Sequence, residues 1–396
     1  MINFNKTVLN VEIQDFINDN INFDVSKLAL KGIPFSDELK RDIITQIETK
    51  QRCIKKLPTW FNTKEIYYPT KLNIEQTSSE VTAKYKASLV SGDNLIDITG
   101  GFGVDSFYFS KKIKQVKHSE LDSNLSKIAK HNAKLLKTNN IEFYPEDGIK
   151  VLQKTNVFFD WIYIDPSRRD DIKGKVFLLK DCLPNVTSLL DIFFEKSKNI
   201  LVKTSPLIDL KSGINELQNV KSIHCIAVNN EVKELLWVLK SGFEGEIEVK
   251  TINFKNETQQ IFDFYLNKEK NKETEYSLPL TYLFEPNAAI LKSGAFNSIA
   301  YNLNVPKLNK HTHLYTSDAV IDFPGRKFKI EKIIPYSKKD YNKTIALKQA
   351  NVTTRNFTES VAQIRNKFKI KDGGKNYLFF TTNLKNSKII ILCSKI

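Results

Sequence analysis

Cysteine is scarce in this sequence, and the few cysteines it has lie far apart. The chain has 396 residues and four cysteines, Cys53, Cys182, Cys225 and Cys393, none of them in a C-x-x-C pair. Zinc sites and disulfide frameworks need closely spaced or regularly paired cysteines, so the sequence argues against both. We expect a reducing compartment and a fold that is stable through an ordinary apolar core.

Long apolar runs are also missing. No stretch reaches about eighteen apolar residues, the length of a membrane-spanning helix, and the opening MINFNKTVLNVEIQDF has no apolar segment of signal-peptide length. Apolar residues make up 41% and charged residues 27% of the chain, which is typical of globular proteins. We therefore expect a folded, soluble, cytoplasmic protein with no membrane partner.

Acidic residues become rare toward the C-terminal end. From Pro286 to Ile396 there are 20 basic and 6 acidic side chains, so this stretch carries +14 of the total formal charge of +15. A basic surface of this kind favours a polyanion partner, because neutralising phosphates releases counterions and adds affinity. The alternative is a solvated, lysine-rich surface without a ligand.

Two apolar patterns divide the chain. Residues 1–75 repeat apolar side chains at helical steps, and Ser78 or Ser79 is placed to cap a helix that begins near Glu80. From 94 to 254, short apolar runs alternate with amphipathic stretches, as in a βαβ series with a parallel sheet. The seven predicted strands are 94–98, 115–120, 141–145, 158–165, 199–205, 222–228 and 246–254.

A charged segment then interrupts this rhythm, which places a boundary between about 255 and 278. Four domains are expected: a helical domain, a sheet domain and two small α+β units, at 1–75, 76–255, 278–323 and 324–396.

The most informative segment, NLIDITGGFGVD, joins a buried strand to a helix through a glycine-rich turn. The candidate ligand contacts are Asp97, Thr99, Gly100, Gly101 and Gly103. Glycines let the backbone approach a ligand closely, and open α/β sheets bind ligands at the carboxyl ends of their strands. A tight turn without a ligand is the alternative.

Acidic residues close three further predicted strands. Glu120 follows the second strand and is placed to accept hydrogen bonds from a ribose diol, while Asp147 follows the third and is placed to accept from an adenine amino group. Asp165 closes the fourth strand. The G-x-G-x-x-G pattern of dinucleotide sites is not met, because Asp105 stands where the third glycine belongs. A cationic sulfonium cofactor with an adenosine end fits this acidic edge better than a pyrophosphate does.

These residues resemble class I S-adenosylmethionine-dependent methyltransferases, through DITGGFGVD, the strand-end Glu120, PEDG and DPSRR. More narrowly, QTSSE, EPNAAILKSGAF and FPGRKFKI are similar to a bacterial branch with a THUMP-like C-terminal domain. The resemblance implies an α/β fold: a Rossmann-like seven-stranded methyltransferase sheet, an N-terminal helical domain, and ferredoxin-like and THUMP-like C-terminal domains. It also implies S-adenosyl-L-methionine as cofactor and RNA (tRNA or rRNA) as partner.

The segment DPSRR occupies the position that carries catalysis in nucleobase methyltransferases. Asp165 and Pro166 are the expected catalytic residues, supplying acceptors for an amino group, but the aromatic residue usual in that motif is absent. Arg168 and Arg169 are expected to bind substrate phosphate or stack on a base. Salt bridges with Asp170 or Asp171 are the alternative for these arginines.

The expected function is methylation of a nucleobase in RNA. A methyltransferase for a small anionic molecule or a protein, and a non-catalytic RNA-binding protein with this fold, are the alternatives. No metal site is expected: His311 and His313 form H-x-H without a carboxylate or cysteine at ligand spacing.

Overall fold

The computed structural model describes residues 4–168, 178–271 and 273–396. Contacts divide the chain into two compact units: residues up to 220 with 237–243, and residues 221–236 with 244–396. Among the described residues, no helix is both long enough and apolar enough to cross a bilayer.

The first unit begins with helices. They are α1 (Val11–Asp19), α2 (Val25–Lys31), α3 (Asp37–Lys56), α4 (Pro58–Asn62), α5 (Lys71–Gln76) and α6 (Glu80–Ser88). The longest, α3, has acidic residues in its first turn and lysines in its last, which complements the helix dipole. Ser79 caps α6 by accepting a hydrogen bond from the Thr82 amide at 3.3 Å, which confirms the predicted cap.

Alternating strands and helices follow. They are β1 (Gly92–Asp97), α7 (Val104–Phe109), β2 (Ile113–Ser119), α8 (Ser123–Leu135), β3 (Ile141–Tyr144), α9 (Gly148–Lys154), β4 (Trp161–Ile164), β5 (Ser167–Arg168), β6 (Cys182–Leu183), α10 (Leu190–Lys196), β7 (Asn199–Thr204) and α11 (Leu210–Glu216). β1 pairs in parallel with β2 and β4, β2 with β3, and β4 with β7. The carboxyl ends of these five strands therefore lie at one edge, where the candidate site residues are found.

The chain continues with β8 (Val220–Val228), β9 (Glu231–Lys240), β10 (Glu248–Lys255), β11 (Thr258–Tyr265) and α12 (Leu266–Asn271). β8 and β10 are parallel, and β11 returns antiparallel to β10. The strand order of the large mixed sheet is β11-β10-β8-β9-β7-β4-β1-β2-β3. All seven predicted strands are present, and β9 and β11 extend the sheet to nine.

A second sheet contains the C-terminal strands. Its elements are β12 (Tyr282–Pro286), α13 (Ala288–Ser293), α14 (Phe296–Asn302), β13 (Tyr315–Ser317), β14 (Gly325–Pro335), α15 (Lys338–Thr344), β15 (Asn351–Arg355), α16 (Val361–Phe368), β16 (Asn376–Thr382) and β17 (Lys388–Lys395). Six strands pair in the order β13-β12-β14-β17-β16-β15. Gly294, with φ +76°, ends α13 and separates it from α14.

Candidate active site

The glycine-rich turn is packed tightly on one side and open on the other. The Gly100 amide donates to the Ser119 carbonyl at 2.8 Å, and a Cβ on Gly100 would lie 2.3 Å from His118 Nε2. A Cβ on Gly101 would meet only the Thr99 carbonyl, at 3.9 Å. Gly101 has φ +54° and Gly103 φ +83°, backbone conformations that favour glycine. The turn therefore leaves open space at Gly101, where a ligand can approach the backbone.

His118 forms the packed side of this turn. Its ring is fully buried, and neither ring nitrogen has a hydrogen-bond partner among the described residues. Burial lowers the pKa of His118 to about 4, against a smaller opposing effect of nearby backbone groups, so the ring is neutral at physiological pH. His118 acts as a structural support for the turn, a role that its place in the second strand did not reveal.

Glu120 lies directly beside Gly101. Its Oε2 accepts from the Gly101 amide at 2.8 Å, and its Oε1 accepts from the Asp122 amide at 2.8 Å. Burial raises the pKa of Glu120, and these backbone hydrogen bonds oppose the rise. Leu121 follows with 75% of its surface exposed. The structure thus brings together the predicted diol acceptor, the open turn and an exposed apolar side chain.

Asp97 lies beneath the turn. It is 1% exposed; its Oδ1 accepts from the Thr99 amide at 3.1 Å and its Oδ2 from Ser106 Oγ at 2.6 Å. Burial raises the pKa of Asp97 to about 7, and the nearby Asp105 and Asp165 add to the rise. Both of its oxygens hold the turn and the start of α7 in place.

A buried ion pair lies next to Asp97. Lys86 Nζ, fully buried, is 3.0 Å from Asp105 Oδ1, while Ser78 Oγ and Tyr163 Oη each donate to Asp105 Oδ2 at 2.8 Å. Burial acts to raise the pKa of Asp105, but the positive charges of Lys86 and Lys203 and the hydrogen bonds outweigh it, and the pKa is lowered. Asp105 therefore anchors α6 and β4 to the glycine-rich turn.

Asp165 and Thr99 connect the ends of β4 and β1. The Asp165 amide donates to Thr99 Oγ1 at 2.7 Å, and Asp165 Oδ2 accepts from Lys203 Nζ at 2.5 Å. Ile164 pairs with Val202, so Asp165 and Lys203 are neighbours at the ends of adjacent parallel strands. The Lys203 side chain is 12% exposed. Sequence reasoning missed Lys203, although it lies one residue before the end of its strand.

Asp147 marks the third strand end of the site. Its Oδ1 accepts from the Ile149 amide at 2.8 Å and caps α9. A Cβ on Gly148 would lie 2.4 Å from the Ile98 carbonyl, so the start of α9 packs directly against the end of β1. Asp147 is half-buried at the same sheet edge as Gly101 and Asp165.

The whole chain matches a solved structure. It is 32% identical to a protein described as a "putative methyltransferase" from Porphyromonas gingivalis W83, with a TM-score of 0.89 and coverage of 100% of both chains. This chain belongs to that methyltransferase family.

Two family models cover the C-terminal part of this methyltransferase-family chain. Residues 282–324 match a ferredoxin-like domain, and residues 325–395 match a THUMP domain-like family. A curated relative, an "Uncharacterized RNA methyltransferase" of Mycoplasma mobile, is 31% identical over 91 residues. That match covers 22% of this chain and 25% of the relative.

The DPSRR segment is described in part. Pro166 is buried, and Ser167–Arg168 pairs antiparallel with Cys182–Leu183. Arg169, Asp170 and Asp171 lie outside the described residues, and only the backbone of Arg168 is described, so substrate binding by the two arginines stays a prediction. Within the described ranges, no group of three or more His, Cys, Asp or Glu side chains is arranged to hold a metal.

Proposed function

We propose that this protein transfers a methyl group from S-adenosyl-L-methionine to a nucleobase in RNA. The observation that carries this proposal is the convergence of Gly101, Glu120 and Asp165 at one sheet edge, linked by hydrogen bonds through the turn and Thr99.

The residues at this edge fit the cofactor. The open space at Gly101 leaves room for a ligand against the backbone, and the Glu120 carboxylate is placed to accept from a ribose diol. The exposed Leu121 offers an apolar surface for the adenine ring, and Asp147 an acceptor for its amino group. When bound, S-adenosylmethionine supplies a methyl group that is already electrophilic.

Charge favours a sulfonium over a pyrophosphate here. Among the described residues of the site, there are five carboxyl groups, those of Asp97, Asp105, Glu120, Asp147 and Asp165, and two ammonium groups, those of Lys86 and Lys203. The excess of negative charge opposes a diphosphate and attracts a cation. Asp105, at the position of the third glycine in dinucleotide sites, is committed to the buried pair with Lys86.

Asp165 is the proposed catalytic residue. Because its Oδ2 is held by Lys203 and its amide by Thr99, the carboxylate is fixed in orientation at the strand end. A fixed carboxylate oxygen accepts from an exocyclic amino group and aligns it for transfer, and alignment of reactants contributes on the order of 7–11 kcal/mol. Pro166 supplies a carbonyl acceptor next to it.

RNA is the proposed substrate, supported by three observations. Residues 325–395 match a THUMP domain-like family, the Mycoplasma relative is described as an RNA methyltransferase, and residues 286–396 carry a formal charge of +14. THUMP domains are associated with RNA, chiefly tRNA, so tRNA or rRNA bound by the basic C-terminal region is the proposed partner.

Nucleoside mass spectrometry tests this function. We expect RNA from cells that lack the gene to lose one methylated nucleoside, and purified protein with S-adenosylmethionine to restore it in vitro. Calorimetry should show binding of S-adenosylmethionine. An unchanged nucleoside profile together with no cofactor binding would contradict the proposed function.

A further inference from the structure

We propose that Arg355, with Arg326 and His313, forms a binding site for a phosphodiester group of RNA in the second unit. This site deepens the proposed function and rests on it, because it specifies where the RNA backbone is held.

The two arginines share one buried carboxylate. Glu285, whose side chain is 3% exposed, accepts from Arg326 Nε at 2.5 Å through Oε2 and from Arg355 Nη2 at 2.8 Å through Oε1. Both arginine side chains remain about one third exposed. Three strands separate β12 from β15 in the sheet order, so the sheet curves strongly to bring these residues together. One negative charge therefore faces two positive charges, both on partly exposed side chains.

Arg355 has more donors than the protein uses. Its Nε is buried and has no hydrogen-bond partner among the described residues. Its Nη1 has one contact in the described range, a long one of 3.4 Å to the Thr354 carbonyl. Both oxygens of Glu285 are already occupied by guanidinium groups. A planar guanidinium with spare donors matches a phosphate, which accepts through two oxygens at once.

His313 adds a second unsatisfied polar group. Its backbone has φ +51°, in the left-handed region, and its ring stacks on Phe296 with centroids 3.6 Å apart. Its Nδ1 is buried without a partner among the described side chains. A buried polar atom without a partner is more typical of a binding site than of simple packing.

The surroundings of His313 are positively charged. Burial, together with the charges of Lys307, His311 and Arg355, lowers the pKa of His313 to about 4. Lys307, in turn, lies near Glu269 and Lys310. This positive field disfavours a metal cation on the H-x-H pair and favours an anion.

The second unit's composition favours RNA over a free small anion. Residues 286–396, which include Arg355, Arg326 and His313, carry a formal charge of +14, so the site belongs to a strongly basic part of the chain. The alternative is a purely structural role, in which the arginines only hold β12, β14 and β15 together. The experiment must distinguish this role from RNA binding.

Arg365 provides a matched control. Like Arg355, it belongs to the second unit, pairs with a carboxylate, that of Asp372, is about one third exposed and has a buried Nε without a partner among the described residues; unlike Arg355, it shares its carboxylate with no second arginine in the described ranges. We expect Arg355→Gln in the full-length protein to lower affinity for bulk tRNA several-fold and to reduce the log–log salt slope by about 0.7–0.9, the loss of one phosphate contact. Arg365→Gln should change neither value. Arg355→Lys keeps the charge and the pairing with Glu285, so its affinity for tRNA should lie between those of the wild type and Arg355→Gln. It replaces Arg355→Gln in this test if that variant is unstable in melting experiments.

Nuclear magnetic resonance gives a readout that needs no variant of Arg355. The chain has five histidines, so the ring signals are few and His313→Gln assigns the one of interest. A short RNA oligonucleotide should shift the His313 signal and raise its pKa, and should leave buried His224 unchanged. The same shift with sodium sulfate alone at equal concentration would show a general anion site and overturn the assignment to RNA.

The outcomes separate the two proposals. Equal affinity of wild type and Arg355→Gln for tRNA, or equal losses in Arg355→Gln and Arg365→Gln, would overturn this site and leave the proposed function standing. Wild-type protein that binds S-adenosylmethionine but no RNA would overturn both the site and the RNA substrate. A reduced affinity and salt slope confined to Arg355 would support the site.

Discussion

Lys203 Nζ lies 2.5 Å from Asp165 Oδ2, at the ends of two neighbouring parallel strands. The pair fixes the carboxylate that the proposed reaction uses to orient the acceptor amine. Lys203 also contributes to lowering the pKa of Asp105, so its charge acts on both carboxylates.

Replacing Asp165 should separate catalysis from cofactor binding. We expect Asp165→Ala to keep cofactor affinity within a few fold while methyl transfer falls by about 10²-fold, because the interaction serves the transition state. Lys203→Met should cause a smaller loss, and the double variant should be no slower than Asp165→Ala, since Lys203 acts through Asp165. Single-turnover rates and calorimetry measure these effects.

The exposed pair of Lys114 and Asp93, 2.8 Å apart at the other end of β1, supplies the control. Asp93→Ala should leave the transfer rate unchanged. Near-normal turnover of Asp165→Ala, or losses that simply multiply in the double variant, would contradict the role given to this pair.

A bulky residue at Gly101 should block the cofactor. Gly101→Val places a side chain in the open space of the turn and also strains a backbone with φ +54°. Gly242→Val is the matched control, because Gly242 has φ +68° and an added Cβ there would have no atoms within 4 Å. Both variants should lose similar stability in melting experiments, but only Gly101→Val should lose S-adenosylmethionine binding in calorimetry. Equal cofactor affinity in the two would place the cofactor elsewhere.

Glu120 should make cofactor affinity depend on pH. Glu120→Ala should weaken binding by about 1.5–3 kcal/mol, the value of a charge-assisted hydrogen bond. Because burial raises the pKa of Glu120, affinity should be lost as the pH falls through that raised value, earlier than for an exposed glutamate. The stability of the free protein should change in the opposite direction and rise as the pH falls, because protonating a buried carboxylate with a raised pKa favours the folded state.

Calorimetric titrations between mildly acidic and neutral pH measure this effect. Glu120→Gln cannot ionise, so its weaker affinity should change less with pH than that of the wild type. NAD should not compete for the site. If NAD displaced S-adenosylmethionine at comparable concentrations, the site would be a dinucleotide-binding site.

Local patterns were enough to predict most of the fold. Turn glycines and strand-end acids identified the sheet edge, because both follow short apolar runs in the sequence. β9 was missed because its buried run, ELLWVL, reads equally well as a helix. β11 was missed because it lies in a charged stretch and pairs only along β10, with most of its alternate residues exposed.

The site contacts were harder to predict than the elements. Lys86 and Ser78 reach Asp105 across sequence separations that no local pattern encodes, and Thr99 meets Asp165 only because β1 and β4 are adjacent. Asp97 was predicted as a ligand contact, and no local pattern showed that its two oxygens accept from the Thr99 amide and Ser106 Oγ. The site contacts could not be predicted because the residues that form them lie far apart in the sequence, although their types were informative.

The packing of Gly100 on His118 gives a stability prediction independent of function. An added Cβ would lie 2.3 Å from Nε2 and 2.5 Å from two ring carbons, and the ring is fully buried and has no room to move. Gly100→Ala should therefore destabilise the protein by about 1–3 kcal/mol, as overpacking does. His118→Ala should also destabilise it, through the cavity left beneath the turn.

The double variant distinguishes a direct clash from a general weakening. With the ring removed, the methyl group introduced by Gly100→Ala fits into the cavity, so Gly100→Ala combined with His118→Ala should be more stable than the sum of the single losses by about 0.5–3 kcal/mol. His224, a buried histidine of the second unit whose pKa burial lowers to about 3, provides the control. Gly100→Ala combined with His224→Ala should be additive in denaturant unfolding. If the stability losses of Gly100→Ala and His118→Ala were also additive, the turn would not pack on the His118 ring.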